Sequence, residues 1–330
     1  MTFASFGIIG GGAWGTALAQ TLCLAGRKVC LWAREPEVVA EINARHTNTA
    51  FLPGVALAAG IEATLDLARI AQQDGVMMVA PAQHVRSLAH ELARHLPAAT
   101  PVVLCAKGLE QATGKLLGDV LAETIPRATQ AVLSGPSFAA DVARGLPAAL
   151  TLATVDPQGQ ALATALGSRA LRIYWSSDVV GVQLGGAVKN VLAIAAGIVD
   201  GKGLGASAHA ALVTRGFFEL RRFGEALGAR ADTLMGLSGL GDLLLTCGSP
   251  QSRNMSLGRA LGLGQTLTSV LAARRSVAEG VFTAAAVATV ARQKGIDMPI
   301  SFAVEAIVAG KLTVDAAIDA LLSRPQRPES

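Results

Sequence analysis

The sequence predicts a mostly parallel α/β domain followed by an all-α domain. Three observations carry that expectation. Short apolar runs alternate with helical segments through the first half. A glycine-rich turn joins the first run to the first helix. Near Asp178 the pattern changes to long Ala/Leu/Val-rich helical segments broken by Gly. In order, Phe6-Gly7-Ile8-Ile9 reads as a strand, Trp14 to Ala25 as a helix closed by Gly26, and Val29-Cys30-Leu31-Trp32 as a second strand. Val76 to Val79, Val102 to Cys105 and Ala131 to Leu133 are further apolar runs, each separated by a helix or loop. Short continuous apolar runs are strands buried on both faces, and alternation with helices implies parallel crossovers. Ala148 to Ala153 and Leu171 to Trp175 add two strands. Beyond the change, Val182 to Val199, Ala206 to Leu227 and Ser276 to Lys294 read as helices. The expected division is residues 1–178 and 179–330, with a disordered tail over 323–330.

Composition narrows the function. The 330 residues are 51% hydrophobic and only 16% charged, enough chain for two cores. No apolar stretch is read as approaching the ~18–20 residues of a bilayer span; the longest, Val191 to Val199, lies between Lys189-Asn190 and Asp200. No cationic stretch precedes an apolar segment at the N-terminus, so no signal peptide is expected. Cys23, Cys30, Cys105 and Cys247 lack metal or disulfide spacing and read as reduced thiols of a cytoplasmic protein. The net charge of +4 comes without a Lys/Arg block or aromatic ladder, so nucleic acid is not an expected partner. A mildly basic balance suits a small anion. No His/Cys/carboxylate cluster calls for a metal.

Gly10-Gly11-Gly12-Ala13-Trp14-Gly15 fits G-x-G-x-x-G at the first strand-to-helix turn. Its glycines permit a tight turn, close approach to a pyrophosphate and close helix–strand packing, with the helix N-terminus facing the phosphates. The first domain is therefore Rossmann-like and binds a dinucleotide. After the second strand, Trp32-Ala33-Arg34-Glu35 puts Arg34 near the place where an acid usually binds the ribose 2′-OH of NAD. A cation there accommodates the 2′-phosphate of NADP, while Glu35 keeps NADH open. The plainer reading is that Arg34 merely starts a loop.

Lys189 is out of character in a chain with 21 Arg against 7 Lys. Arg is effectively never deprotonated, whereas a Lys can be tuned to give and take a proton. Its neighbours on a helical face are Gly185, Gly186, Ala193 and Ala196, all small. That face admits a substrate and a nicotinamide, or merely another helix. Lys107 follows a strand, where open α/β sheets bind ligands, and so do the backbone N–H groups of Ser134-Gly135-Pro136-Ser137-Phe138. A solvated loop Lys is the alternative for Lys107. Ser249-Pro250 reads as N-cap and first residue of a helix, with Arg253 in its first turn and Ser252, Arg253 and Asn254 as donors to an anion. A cation there opposes the macrodipole, and a bound anion relieves the conflict. Asp242 either caps a helix, orients a Lys ammonium or binds a substrate hydroxyl.

Together these segments resemble the NAD(P)-dependent glycerol-3-phosphate dehydrogenases of the bacterial soluble type, across nearly the whole chain. The resemblance rests on Gly10 to Ala19, Ala106-Lys107-Gly108-Leu109-Glu110, Ser134 to Ala139, Gly181 to Asn190, Gly239-Leu240-Gly241-Asp242-Leu243 with Gln251-Ser252-Arg253-Asn254, and Val277-Ala278-Glu279-Gly280. One position departs: Ser207 stands where the family usually has Asn. The resemblance implies a second domain like the C-terminal domain of 6-phosphogluconate dehydrogenase. It implies Lys189 as proton donor and acceptor, supported by Lys107 and Asp242. Lys107, Gly135, Ser137, Lys189, Asp242, Ser252, Arg253 and Asn254 would hold the substrate. Gly10, Gly12, Ala13, Trp14, Gly15, Arg34, Lys107, Ala139, Arg253, Val277 and Glu279 would contact NADP(H) or NAD(H). The implied reaction reduces dihydroxyacetone phosphate to sn-glycerol 3-phosphate for phospholipid synthesis, without metal, in an enzyme expected as a homodimer. A β-hydroxyacid-type dehydrogenase is the competing enzyme, but it gives no reason for an anion site at Ser252-Arg253-Asn254. A cofactor-sensing binding protein leaves Lys189 without work.

Overall fold

The apolar runs become the strands of one sheet, buried at its centre and partly exposed at the edge strand Leu171–Ser176. The computed structural model describes residues 3–273 and 278–325. Its strands are β1 (Ser5–Ile9), β2 (Lys28–Trp32), β3 (Ile61–Thr64), β4 (Gly75–Met78), β5 (Pro101–Leu104), β6 (Thr129–Ser134), β7 (Ala148–Ala153) and β8 (Leu171–Ser176). They lie in the order β3-β2-β1-β4-β5-β6-β7-β8. The first six are parallel and follow the 3-2-1-4-5-6 order of a doubly wound dinucleotide fold. The β6–β7 pair is antiparallel, and β8 returns parallel to β7. In register, Ile8 sits between Leu31 and Met77. Chain order reverses direction across the sheet between β1 and β4, so their carboxyl ends open a crevice.

The expected strands are all present, and β3 is an addition. In its Ile61-Glu62-Ala63-Thr64, at the sheet edge, only Glu62 is exposed, and two polar residues interrupt the apolar pattern. An edge strand of four residues gives no continuous apolar run to read.

The helical half is organised around one helix, Val179–Gly201. Asp178 starts it: one carboxylate oxygen accepts from Gly181 N at 2.8 Å, and the other from Arg230 N at 2.9 Å. This is an N-cap satisfying donors that the helix itself cannot. At 23 residues the helix is, by length and composition, apolar enough to cross a membrane. That corrects the expectation that no segment is. The apparent break at Lys189-Asn190 is internal to the helix, which is buried from Gly181 to Val199. It meets the helix Arg253–Gly262 glycine against backbone: a Cβ on Gly258 would overlap Ile194 O, and one on Gly197 would overlap Met255 O. Without side chains between them, the two backbones approach closely enough to bring Lys189 and the 252–254 segment into one region.

Three further expectations change. Ser249-Pro250 does not open the helix. Ser252 N bonds back to Ser249 O at 3.0 Å as a turn, and Ser252 is the N-cap, its Oγ accepting from Met255 N at 3.2 Å. The chain at 323–330 is in part ordered. Ser323 is the C-cap of the helix Val314–Leu322, and Arg324 pairs with Asp297 at 2.8 Å. Residues 326–330 lie outside the described residues. The helix expected over Ser276 to Lys294 is Glu279–Gln293 with Lys294 as its C-cap; Ser276 and Val277 also lie outside the described residues.

Candidate active site

The glycine turn sits at the carboxyl end of β1. Gly10 has φ +128, which an L side chain rarely adopts, and its N–H bonds Trp32 O at 2.9 Å. A Cβ on Gly15 would overlap the Gly10 carbonyl oxygen, so only glycine lets the helix Ala13–Leu24 start so close to the strand. A Cβ on Gly12 would meet nothing within 4 Å. Gly10 and Gly15 therefore shape the turn, and Gly12 faces open space above it. Asn48, fully buried, donates from Nδ2 to Gly11 O and to Thr16 Oγ1, both at 2.8 Å. It braces the turn, and no local pattern in the sequence announces it. Trp14 and Ala139 pack partly buried against the N-terminal core, and Trp14 Nε1 is buried without a partner.

The chemistry gathers around Asp242. A π-helical turn, Leu237–Gly241, precedes it, closed by Gly241 N to Gly236 O at 3.1 Å. Such irregular turns often mark functional sites. Gly241, not Asp242, occupies the cap position of the helix Asp242–Cys247. The Asp242 carboxylate is buried and holds two ammonium groups. Lys189 Nζ donates to Oδ1 and Lys107 Nζ to Oδ2, each at 2.6 Å. Lys189 also donates to Thr246 Oγ1 at 2.8 Å, and Lys107 to Gly135 O at 3.1 Å. Thr246 stands one helical turn beyond Asp242, a spacing of four that puts both on one face. That spacing was visible in the sequence; its meaning required Lys189 to arrive between them.

The small residues beside Lys189 serve both readings. A Cβ on Gly185 would collide with the backbone of Ser238-Gly239, so Gly185 is a packing glycine. One on Gly186 would lie 2.6 Å from Ser134 Oγ and 3.4 Å from Lys107 Cγ, so Gly186 makes room for the Lys107 stem. Burial pushes the Lys189 ammonium down to about 8; Asp242 opposes the shift and Lys107 adds to it. Lys189 is thus still charged at neutral pH but within reach of losing its proton.

The 252–254 segment is linked to this pair through Asn190. Asn254 turns inward: its Nδ2 donates to Asn190 Oδ1 at 2.9 Å, and its Oδ1 accepts from Gly280 N at 3.0 Å. Asn190 in turn reaches the carbonyls of Lys107 and Gly186 at 3.5 Å. Buried amides thereby tie the Lys107 loop, the Lys189 helix and the Glu279 helix together. Ser137 Oγ donates to Gly135 O at 3.2 Å. Glu279 Oε1 accepts from Ala82 N at 3.2 Å, while Oε2 is buried without a partner. Burial pushes the Glu279 carboxyl up, and the charge of Arg253 acts against that.

Of the residues expected at the site, Lys189, Lys107, Asp242 and Gly135 form one hydrogen-bonded cluster, extended by Ser137 and Asn254. Gly10, Gly12, Ala13, Trp14 and Gly15 form a separate turn at the crevice, and Arg34 lies exposed beyond it, paired with Glu35. Val277 lies outside the described residues. Among the described residues no group of His, Cys, Asp and Glu could hold a metal ion. The cradle above Gly12 and the orphaned Glu279 oxygen fit a dinucleotide laid along the crevice.

Comparison with known proteins agrees with this architecture. Residues 5–168 match the family of the NAD-dependent glycerol-3-phosphate dehydrogenase N-terminus, and residues 178–319 that of its C-terminus. A glycerol-3-phosphate dehydrogenase (NAD(P)+) of Parvibaculum lavamentivorans is 59% identical, covering 100% of this chain and 99% of its own. One from Caulobacter vibrioides is 58% identical, covering 100% of both. The crystal structure of glycerol-3-phosphate dehydrogenase from Coxiella burnetii superposes with a TM-score of 0.93 at 37% identity, covering 97% of this chain and 99% of that one.

Proposed function

We infer the work of individual residues from one premise: the chain belongs to the NAD-dependent glycerol-3-phosphate dehydrogenase family. It is an NAD(P)-dependent oxidoreductase that reduces dihydroxyacetone phosphate to sn-glycerol 3-phosphate, the backbone of glycerophospholipids. When bound, the nicotinamide cofactor supplies the hydride that reduces the ketone carbon. The other tasks fall to the chain.

As the carbonyl carbon is reduced, charge develops on its oxygen, and Lys189 donates the proton that neutralises it. An acid with a pKa near the working pH suits that transfer in both directions. Asp242 and Thr246 fix the direction of the Lys189 ammonium. Lys107 brings a second positive charge, which stabilises the developing oxyanion and keeps Lys189 acidic. The phosphate lies at the start of the helix Arg253–Gly262, on backbone N–H groups and the Arg253 guanidinium. Its binding energy positions the carbonyl against Lys189. Because the side chains of Ser252 and Asn254 are engaged in the cap and the amide chain, they hold that surface in shape while backbone groups meet the anion. Gly10, Gly12, Ala13, Trp14, Gly15 and Ala139 cradle the cofactor, with Arg34 toward its 2′-phosphate and Glu279 and Arg253 toward the nicotinamide end. In this division residues 1–178 carry the cofactor and 179–330 the acid and the anion site. A cytoplasmic location goes with it, supported by four free thiols, three of them buried.

One observation carries the reading: a buried carboxylate joins the ammonium of a sheet loop to that of the central helix. Asp242→Asn tests it. The expected result is a fall in kcat of about a hundredfold or more, with NADPH affinity by calorimetry essentially unchanged. Wild-type turnover in a folded Asp242→Asn variant would sink it.

A further inference from the structure

We propose that Glu35 sets the balance between NADH and NADPH by competing for Arg34. The inference rests on placing Arg34 at the adenosine ribose, and its test separates the two. Arg34 and Glu35 follow the end of β2 by two and three residues, and Glu35 is the N-cap residue of the helix Pro36–Arg45. This segment lies directly against the glycine turn: a Cβ on Gly11 would be 2.5 Å from Ala33 Cβ and 3.5 Å from Val38 Cγ1. Glu35 stands 20 residues past Gly15, the interval at which dinucleotide folds place the acid for a ribose 2′-OH.

The pair is built for exchange. The Arg34 side chain is 75% exposed and that of Glu35 is 27% exposed. Arg34 reaches a single carboxylate oxygen, Oε1, from Nε at 3.2 Å and from Nη2 at 2.9 Å. Oε2 accepts no hydrogen bond among the described residues. Exposed ion pairs of this kind hold weakly. A ribose 2′-OH can donate to Oε2 without disturbing the pair, so NADH is accepted with Arg34 still neutralised. A 2′-phosphate needs the guanidinium, and bidentate contact with it is the stronger bond. To form that contact the phosphate must displace Glu35 and then lie beside a like charge. Glu35 therefore favours NADH through an added acceptor and disfavours NADPH through competition and repulsion. Arg34 acts in the opposite sense on NADPH alone.

The test measures NADPH and NADH dissociation constants by calorimetry, and kcat/KM for both, in wild type, Glu35→Gln, Arg34→Ala and the double variant. Competitive inhibition by 2′-phospho-AMP against AMP repeats it on the adenosine end alone. Glu35→Gln should raise the NADPH-to-NADH ratio about tenfold, one well-placed charged contact. Arg34→Ala should lower it by at least as much, and the NADPH gain from Glu35→Gln should shrink once Arg34 is gone. If Arg34→Ala shifts the ratio and Glu35→Gln leaves it unchanged, the role of Glu35 is overturned while that of Arg34 stands. If neither shifts it, the placement of Arg34 at the ribose fails as well. Thermal unfolding of each variant verifies that it is folded, since both side chains lie at the surface.

Discussion

Replacing Lys189 with Met should make the protein more stable while abolishing most of its activity. Burial lowers the Lys189 ammonium from its ordinary 10.5 to about 8, against the pull of Asp242 and with the push of Lys107. One pKa unit corresponds to ~1.4 kcal/mol, so carrying this charge in the folded state costs about 3 kcal/mol at neutral pH. The unfolded chain holds the proton more tightly than the folded one. The penalty is therefore complete below about pH 8, shrinks as pH rises toward 10.5, and is absent above it. Met has similar length and no charge to bury. Asp242 is not orphaned by the change, because Lys107 stays on its other oxygen at 2.6 Å. Thr246 loses its donor, and the lost hydrogen bonds take back ~1 kcal/mol. The balance is a gain of about 1–2 kcal/mol at pH ~7. Equilibrium urea unfolding of both proteins at about pH 7 and about pH 10 measures it, and the gap should narrow at the higher pH. Turnover should fall by roughly a hundred- to ten-thousandfold. A Met variant less stable at neutral pH, or a gap that does not change with pH, would refute the account of how Lys189 is tuned.

The same shift predicts opposite pH profiles for the two directions. With Lys189 as the proposed proton donor, kcat for ketone reduction should be level below about 8 and decline above it. Alcohol oxidation needs the free amine and should rise through the same region. Initial rates in both directions across that range test this, and parallel profiles would exclude Lys189 as the shared group. In the glycine turn, Gly15→Ala should destabilise the N-terminal domain, since its Cβ would overlap the Gly10 carbonyl oxygen. Gly12→Ala should leave thermal stability nearly unchanged, because its Cβ meets nothing within 4 Å, yet weaken NADPH binding measured by calorimetry. Equal stability losses in the two variants would contradict the division of work within the turn.

What could be read from sequence follows the range of the interactions. β1, β4 and β5 were legible because strands buried on both faces carry unbroken apolar runs. β3 was not, since an edge strand needs only one apolar face. The helix start at Ser249-Pro250 was misplaced because Pro at a first helical position and Pro in a turn look alike, and the cap bond of Ser252 that separates them is a matter of geometry. Lys189 was conspicuous by chemistry alone, and Asp242 only as one of several readings, since 53 residues separate them. Asn48 matters through its bonds to the glycine turn, 37 residues from Gly11, and nothing around it has a period or a cap to reveal that.

These differences bear on the proposed acid, Lys189. A Lys in an apolar helix could be assigned a proton, but not a strength. That strength comes from burial by helices packed glycine to backbone, from a carboxylate presented by a π-helical turn, and from a second ammonium delivered by the loop after β5. Each of the three breaks a local preference: a buried charge, an irregular helix, two like charges on one acceptor. Local conflicts that persist in an otherwise consistent fold tend to concentrate at functional sites. Asp242 is the point at which all three are reconciled, because its two buried carboxylate oxygens each hold one ammonium group. Removing Asp242 should therefore disturb turnover through the orientation and strength of Lys189, even though Asp242 itself need never take the proton.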